Sequence, residues 1–255
     1  MRDLKAMSFV EHLTELRKRL IWVILILGIT MFVGFAVARP IILYLRSVEP
    51  ASGMEWNVFS PWDTIRIYMQ VAVMVSFAAT LPVILYHLWA FMKPGLKENE
   101  QRATLIYIPF AFLLFLAGLA FGYFVVFPLA FYFTTVLTSA LGLTETYGVA
   151  QYFSFMFNIL LPVSLLFELP VVVLFLTRIR ILQPNLLTKF RKVAYLLLLI
   201  IGALITPPDV ISALIVAVPM ILLYEFSVLL SKWLYGKQLA KDKAREEAFD
   251  AEESV

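Results

Sequence analysis

The stretch YFSFMFNILLPVSLLFELPVVVLFLT, residues Tyr152–Thr177, carries one acidic residue, Glu168, in an otherwise apolar run. A run of about 20 apolar residues is long enough to cross the roughly 30 Å hydrocarbon core of a bilayer as a helix. A charge at that depth costs several kcal/mol, so it persists mainly where it lines a cavity or meets a partner. Glu168 is therefore a candidate for a functional site. The alternative is a protonated carboxyl that is hydrogen-bonded to a neighbouring helix.

The composition of the whole chain is that of a polytopic membrane protein. Of its 255 residues, 62% are hydrophobic and only 15% are charged, and the mean hydropathy is +0.87. These values exclude a soluble domain. The apolar runs predict an all-α protein with six transmembrane helices, at Leu20–Ala38, Ile67–Phe91, Thr104–Val126, Tyr152–Thr177, Val193–Thr206 and Val210–Ser231. The fifth span is short, since about 14 residues reach only about 21 Å, and it requires local bilayer thinning or backing by protein.

Basic residues are distributed unequally between the two ends of these spans. Eighteen of the 21 lysines and arginines fall on one side and three on the other. The first group lies in Met1–Arg19, Lys93–Arg102, Arg178–Lys192 and Lys232–Val255, and the second consists of Arg39, Arg46 and Arg66. Because cytoplasmic loops carry an excess of Lys and Arg, both termini are predicted to be cytoplasmic, in the plasma membrane of a prokaryote. The net charge of +3 is then a topology signal and does not indicate nucleic-acid binding.

Three parts follow from this pattern: an N-terminal segment (1–19), a six-helix transmembrane domain (20–234) and a charged C-terminal tail (235–255). Apolar residues at three-to-four spacing from Leu4 to Leu20 predict an amphipathic helix on the cytoplasmic surface. The tail, rich in Lys, Arg, Glu, Asp and Ala, is predicted to be disordered or a frayed, solvated helix.

Prolines predict the shape of the outer regions. The loop from Ala38 to Asp63 contains three prolines and a glycine, and we expect it to form a cap on the outer face. Pro128 predicts a bend where the third span leaves the membrane, followed by an outer-face helix from Leu129 to Leu141. Further prolines within the spans indicate curved helices that enclose a concavity.

Signatures of enzymes are nearly absent. The chain has no Gly-rich phosphate loop, no His-Glu-x-x-His motif and no cysteine, and its two histidines are His12 and His87. We therefore predict no catalytic activity, no metal site and no cofactor. His87 is interpreted as a packed, hydrogen-bonded residue.

Carboxylates on the predicted cytoplasmic surface are the remaining candidates for chemistry. Glu11 and Glu15 lie one helical turn apart, and Glu98 and Glu100 lie in the loop after the second span. If the two segments approach, they form an anionic patch, for which a planar guanidinium is the natural ligand.

The alternative is that each carboxylate is neutralised locally. Glu15 then pairs with Lys18 or Arg19 on its own helix, and Glu100 pairs with Arg102 or Lys97. Spacing alone favours this alternative over a binding patch.

Several motifs, in order along nearly the whole chain, resemble the TatC family, the multispanning receptor of the twin-arginine protein translocase. They are HLTELRKRL (His12–Leu20), PVILY (Pro82–Tyr86), Trp89-Ala90-Phe91 with Pro94, Leu96, Glu100 and Arg102, FVVFP (Phe124–Pro128), FELP (Phe167–Pro170) and TPPD (Thr206–Asp209). Lys93 and Gln101 depart from the residues that are common in that family. The resemblance implies a glove-shaped bundle of six helices with a cytoplasmic site for the paired arginines of a signal peptide.

The resemblance also implies roles for individual residues. Glu15 and Glu100 are expected to contact the two arginines, and Glu168 to face the concave side and act in partner contact or signal-peptide passage. The residues expected to shape the recognition site are Arg17, Phe91, Pro94, Leu96 and Arg102. Those expected to form an outer turn before the sixth span are Pro207, Pro208 and Asp209. The implied partners are signal peptides of folded cargo, small single-span TatA-type or TatB-type subunits, membrane lipid and further copies of the chain.

The leading hypothesis is thus a non-enzymatic receptor for twin-arginine signal peptides that nucleates an export complex driven by the proton-motive force. One alternative is a proton- or ion-coupled small-solute transporter that uses Glu168 as carrier, although no internal repeat is visible. Another is an intramembrane hydrolase with Glu168 as general acid or base, for which the sequence offers no adjacent nucleophile or metal partner.

Overall fold

The protein is built from helices. The structure, a computed structural model, describes residues 9–93, 101, 105–205 and 210–253. The helices are α1 (Phe9–Ser47), α2 (Asp63–Met92), α3 (Tyr107–Phe121), α4 (Phe127–Ala140), α5 (Val149–Leu166), α6 (Leu169–Arg178), α7 (Pro184–Lys189), α8 (Arg191–Ile205) and α9 (Val210–Glu253). Within these residues the only β interaction is an isolated bridge between Asn57 and Gly148. The predicted all-α class is confirmed.

Helical stretches in the described residues account for five membrane crossings by length and apolarity. They are Leu13–Ser47, Asp63–Met92, Tyr107–Ala140, Val149–Arg178 and Ala213–Ala244. The predicted short span at 193–206 corresponds to α8, which has 15 residues and extends only about 22 Å. The chain is therefore a multi-pass membrane protein in which α8 is shorter than a standard crossing.

Helix α1 is continuous from Phe9 to Ser47. No proline interrupts it before Pro40, so nothing in the sequence forces a break between the predicted surface segment and the predicted first span. The described part of the N-terminal segment therefore belongs to the same helix as the first span. Residues 1–8 lie outside the described residues.

Helices α1 and α2 are antiparallel and approach closely. A Cβ atom on Gly34 would lie 2.6 Å from the Ala72 carbonyl oxygen, so only glycine permits this approach. One turn away, the Thr30 hydroxyl lies 2.8 Å from both the Ser76 and the Thr80 hydroxyls. Small residues and interhelical hydrogen bonds are what hold helices together in lipid, and here they fix the register of the first hairpin.

The apolar stretch Tyr152–Thr177 forms two helices. Helix α5 ends at Leu166 and α6 begins at Leu169, with Pro170 in the first turn of α6. Proline lacks an N–H and clashes with the carbonyl four residues earlier, so the helix breaks before it. Glu168 lies at this break, and its backbone carbonyl accepts hydrogen bonds from the amides of Val171 and Val172 at 3.0 Å.

The helix predicted after Pro128 is present as α4 (Phe127–Ala140), and the predicted bend at the membrane surface stays a prediction. A π-helical turn, Gly122–Val126, joins α3 to α4 without a break. A π-helical turn widens the backbone just before the proline, which accommodates the ring without ending the helix.

The loop between α1 and α2 packs on the start of α5. The Val149 amide donates to the Asn57 carbonyl at 2.9 Å, and the Trp56 ring meets Tyr152 edge-on with centroids 5.0 Å apart. Asp63 accepts hydrogen bonds from the backbone amides of Phe59 and Ser60, both at 3.0 Å, at the start of α2. We call this side of the bundle the opposite face. The other side, where α1 starts and where α2 and α6 finish, is called the terminal face.

The charged tail continues α9 as a helix to Glu253. Over these residues the structure contains a helix, which is one of the two alternatives predicted for the tail. Polar contacts join α9 to the end of α6 and the turn that follows it. They are Thr177 to Ser231 (2.7 Å), Gln238 Nε2 to the Arg178 carbonyl (2.9 Å) and Arg180 to Asp242 (2.5 Å). These contacts explain why the helix persists beyond the apolar span.

Candidate functional site

Glu168 is a buried carboxyl near mid-membrane depth. Its residue surface is 8% exposed, and it lies ten residues before Arg178 at the end of α6, which is about 15 Å or half a hydrocarbon core. Its Oε1 atom is buried without a hydrogen-bond partner among the described residues. The alternative in which this carboxyl is hydrogen-bonded to a neighbouring helix is therefore not observed in that part of the chain.

A groove of about 190 Å³ adjoins this carboxyl. It lies between α2, α3 and α6, and it extends from Glu168 toward the residues at the terminal-face ends of those helices, Trp89 and Tyr107. The remaining lining residues are aliphatic or aromatic: Leu85, Leu88, Ile108, Val171, Val172, Phe175 and Leu176. Such a lining suits an apolar helix or peptide segment, and Glu168 supplies the carboxyl at its deep end.

Glu15 lies near the start of α1 and forms an ion pair with Arg19 one turn later. Both side chains are 23% exposed, and Arg17, on another side of the helix, is exposed. The local pairing anticipated from the spacing is thus observed for Glu15. Surface ion pairs of this kind stabilise a helix by only about 0.3–0.5 kcal/mol, so an incoming guanidinium can displace Arg19 at small cost.

The register of the first hairpin gives the level of Glu15 relative to α2. Gly34 lies against Ala72, and Thr30 against Ser76 and Thr80. Continuing this antiparallel register for about four helical turns places Glu15 level with the last residues of α2, Phe91 and Met92. Glu15 therefore lies beside the point where the loop that carries Glu100 begins.

The two ends of that loop are close together. Gln101 Nε2 donates to the Lys93 carbonyl at 3.2 Å, and the Lys93 ammonium lies 5.6 Å from the centroid of the Trp89 ring. The two residues that depart from the common family pattern, Lys93 and Gln101, are thus hydrogen-bonded to each other at the base of the loop.

Several predicted site residues lie outside the described residues. They are Pro94, Leu96, Glu98, Glu100, Arg102, Pro207, Pro208 and Asp209. The side chains of Glu11 and His12 also lie outside the described part of the chain. Phe91 is described and is partly buried at the end of α2. Among the side chains that the structure describes, Glu15, Arg17 and Phe91 belong to the predicted arginine site.

His87, near the end of α2, was predicted to be a packed, hydrogen-bonded residue. The His87 Nδ1 atom is buried without a hydrogen-bond partner within the described part of the chain. No group of three His, Cys, Asp or Glu residues suited to a metal ion occurs there.

A second acid within the membrane region, Glu225 on α9, was not among the residues predicted from the sequence. Its Oε2 accepts a hydrogen bond from Arg191 Nη2 at 2.8 Å, and its Oε1 accepts one from the Tyr195 hydroxyl at 2.5 Å. The hydroxyl of the preceding residue, Tyr224, donates a hydrogen bond to the Leu187 carbonyl at 2.7 Å. The sequence contained a signal for this pair, namely an acid inside the predicted sixth span, Glu225, and an arginine just before the predicted fifth span, Arg191.

Comparison with known proteins matches the chain to one family. The family model described as Sec-independent protein translocase protein (TatC) matches residues 11–219. The TatC protein of Halalkalibacterium halodurans is 45% identical over 97% of this chain and 98% of its own length. The TatCy protein of Bacillus subtilis is 45% identical over 91% of each chain. The chain belongs to the TatC family.

The fold comparison agrees with that assignment. A crystal structure of the twin-arginine translocase receptor TatC is 34% identical, covers 88% of this chain and 99% of its own, and superposes with a TM-score of 0.74. A second crystal structure of that receptor gives a TM-score of 0.76. The family predicted from the motifs is confirmed. The matched TatC region contains every residue that the sequence analysis assigned to a site, whereas Glu225 lies beyond it.

Proposed function

We propose that this chain is the core receptor of the twin-arginine protein translocase and binds the paired arginines of signal peptides at its terminal face. The observation that carries the proposal is the position of Glu15: it lies level with the end of α2, where the loop bearing Glu100 begins, and only a weak local ion pair to Arg19 occupies its carboxylate. Family membership supports the same function.

Recognition follows from the geometry of guanidinium groups. An arginine of the signal peptide displaces Arg19 from Glu15 and forms charge-assisted hydrogen bonds with the carboxylate, and Glu100 receives the second arginine. A planar guanidinium donates two parallel N–H bonds to a carboxylate, whereas a lysine ammonium is a point charge without that fork. A Lys-Lys peptide keeps the charge and loses the geometry.

The groove at Glu168 receives the apolar segment that follows the arginines. It begins at the level of Trp89, close to the loop, and ends at the buried carboxyl. A peptide bound at the surface can therefore continue into an apolar channel between α2, α3 and α6. In this proposal Glu168 contacts the transmembrane helix of a TatA-type or TatB-type subunit or the signal peptide itself.

The proposed topology has six crossings, with α8 as a short fifth span and both termini in the bacterial cytoplasm. The excess of Lys and Arg on the terminal face supports this orientation. Energy for transport comes from the proton-motive force, and copies of the chain associate within the receptor complex.

A second candidate function is a proton-coupled transporter, which the unpartnered carboxyl of Glu168 in an open groove favours. Vesicles containing the purified protein and an interior pH dye test it. A transporter acidifies the interior under an imposed potential and loses this activity in Glu168→Gln, whereas a signal-peptide receptor leaves the interior pH unchanged in both proteins.

The receptor is tested by binding of a labelled twin-arginine peptide to the purified protein in detergent, with a Lys-Lys peptide for comparison. Glu15→Ala and Glu100→Ala are each expected to weaken binding by about 1.5–3 kcal/mol, because each removes a charge-assisted hydrogen bond. Glu55→Ala is the matched control, since it removes an exposed carboxylate on the opposite face. Unchanged affinity in both site variants, or equal affinity for the two peptides, contradicts the assignment.

A further inference from the structure

Two arginines of α1, Arg39 and Arg46, line one pocket at the opposite face. They are seven residues apart, which is about two helical turns, so they lie on the same side of the helix. The pocket has a volume of about 290 Å³, and the loop after α1 and the start of α2 complete it with Trp56, Thr64 and Tyr68.

Neither guanidinium is neutralised by a carboxylate among the described residues. The ion pairs of those residues join Arg19 to Glu15, Arg180 to Asp242 and Arg191 to Glu225. The acid at the start of α2, Asp63, is already bound to the amides of Phe59 and Ser60.

Arg46 is held in place without an anion. Its guanidinium carbon lies 5.3 Å from the centroid of the Trp56 ring, and its Nε atom is buried without an acceptor in the described part of the chain. A buried donor without a partner is unfavourable, so the site lacks a hydrogen-bond acceptor.

The position of the pocket along α1 matches a headgroup region. Arg39 follows Arg19 by 20 residues, a rise of about 30 Å, which equals the hydrocarbon thickness. Arg46 lies about 10 Å further out, at the depth of headgroups. Trp56 and Tyr68 at this level correspond to the aromatic belt at a membrane interface.

We propose that Arg39 and Arg46 bind the phosphate of an anionic phospholipid from the leaflet at the opposite face. Arginine forks bind phosphate oxygens through paired N–H donors. The pocket also contains Ile42, Leu43 and Ile67, which suit the first carbons of an acyl chain. These apolar walls and the interfacial depth distinguish a lipid from free phosphate. This inference does not depend on the proposed receptor function.

The test uses the full-length protein in a neutral detergent, titrated separately with short-chain phosphatidylglycerol, short-chain phosphatidylcholine and inorganic phosphate while the thermal unfolding midpoint is followed. Phosphatidylglycerol is expected to raise the midpoint saturably, and the other two to raise it much less. The Arg39→Gln, Arg46→Gln variant is expected to need about tenfold or more phosphatidylglycerol for the same shift, because charge-assisted bonds are lost.

The control variant is Arg66→Gln, which removes an exposed arginine of the same face that lines a different pocket. It is expected to respond to phosphatidylglycerol like the unaltered protein. If the double variant does not fold, the single Arg39→Gln variant, altered at an exposed position, is expected to weaken the response about threefold. An unchanged response in the arginine variants, an equal loss in Arg66→Gln, or saturation by inorganic phosphate alone overturns the proposal.

Discussion

Arg191, at the start of α8, donates a hydrogen bond to the Glu225 carboxylate of α9 at 2.8 Å. The pair connects the short helix α8 to the long helix that follows it, and the Tyr195 hydroxyl donates to the other carboxylate oxygen. Helix α8 is too short to match the hydrocarbon thickness, so its length does not determine its position in the bilayer. The polar contact with Glu225 therefore defines how α8 lies against α9.

Replacement of Glu225 by Leu is expected to destabilise the protein by about 1–2 kcal/mol, since it leaves the Arg191 guanidinium and the Tyr195 hydroxyl without their acceptor. The unfolding midpoint in a titration with denaturing detergent measures the change. Arg191→Leu combined with Glu225→Leu is expected to recover part of the loss, because no charge then lacks its partner. A double variant as unstable as the sum of the two single variants contradicts coupling between them.

Gly34→Ala is expected to destabilise the α1–α2 hairpin by about 1–3 kcal/mol, because the added Cβ would lie 2.6 Å from the Ala72 carbonyl oxygen. Gly28→Ala is the matched control on the same helix: a Cβ there has no neighbour within 4 Å, so the change is expected to be neutral or stabilising by up to about 1 kcal/mol. The same unfolding titration measures both. Equal stability of the two variants contradicts the close approach at Gly34.

Features set by local sequence were predictable. The apolar run Ile67–Phe91 corresponds to α2, and the spacing of Glu15 and Arg19 anticipated their ion pair, because residues four apart meet on one helix face. The break at Glu168 was not predicted from Pro170, since proline is often tolerated within transmembrane helices and a single sequence does not reveal whether neighbours compensate.

Contacts between distant segments were not predictable. Arg191 and Glu225 are 34 residues apart, and their pairing depends on how α8 folds back on α9. The same holds for Thr30 with Ser76 and Thr80, whose hydroxyls set the level of Glu15 against the end of α2. The sequence predicted that carboxylates of the two segments form a patch only if those segments approach. The register of this hairpin places Glu15 level with the end of α2, and the patch itself stays a prediction because Glu98 and Glu100 lie outside the described residues.

Arg19→Gln is expected to increase the affinity for a twin-arginine peptide about twofold, because the peptide then no longer competes with an ion pair of about 0.4 kcal/mol for Glu15. Lys18→Gln is the control: it removes the neighbouring exposed charge without breaking the Glu15 pair. Peptide titrations at one fixed salt concentration measure both. An equal increase in the two variants indicates a general charge effect, and a decrease in Arg19→Gln contradicts the role of Arg19 as a competitor.

Glu168→Leu is expected to stabilise the isolated protein by about 1–3 kcal/mol, because it replaces a buried carboxyl that lacks a hydrogen-bond partner among the described residues. Peptide binding at Glu15 is expected to persist, since the surface site is unchanged. Export of a folded twin-arginine cargo is expected to fall, because the deep end of the groove loses its polar group. Ser164→Ala, which alters a buried hydroxyl on the preceding helix that is satisfied by the Leu161 carbonyl, is the control for export. Normal export by Glu168→Leu, with or without the gain in stability, contradicts a functional role and leaves Glu168 as a structural residue.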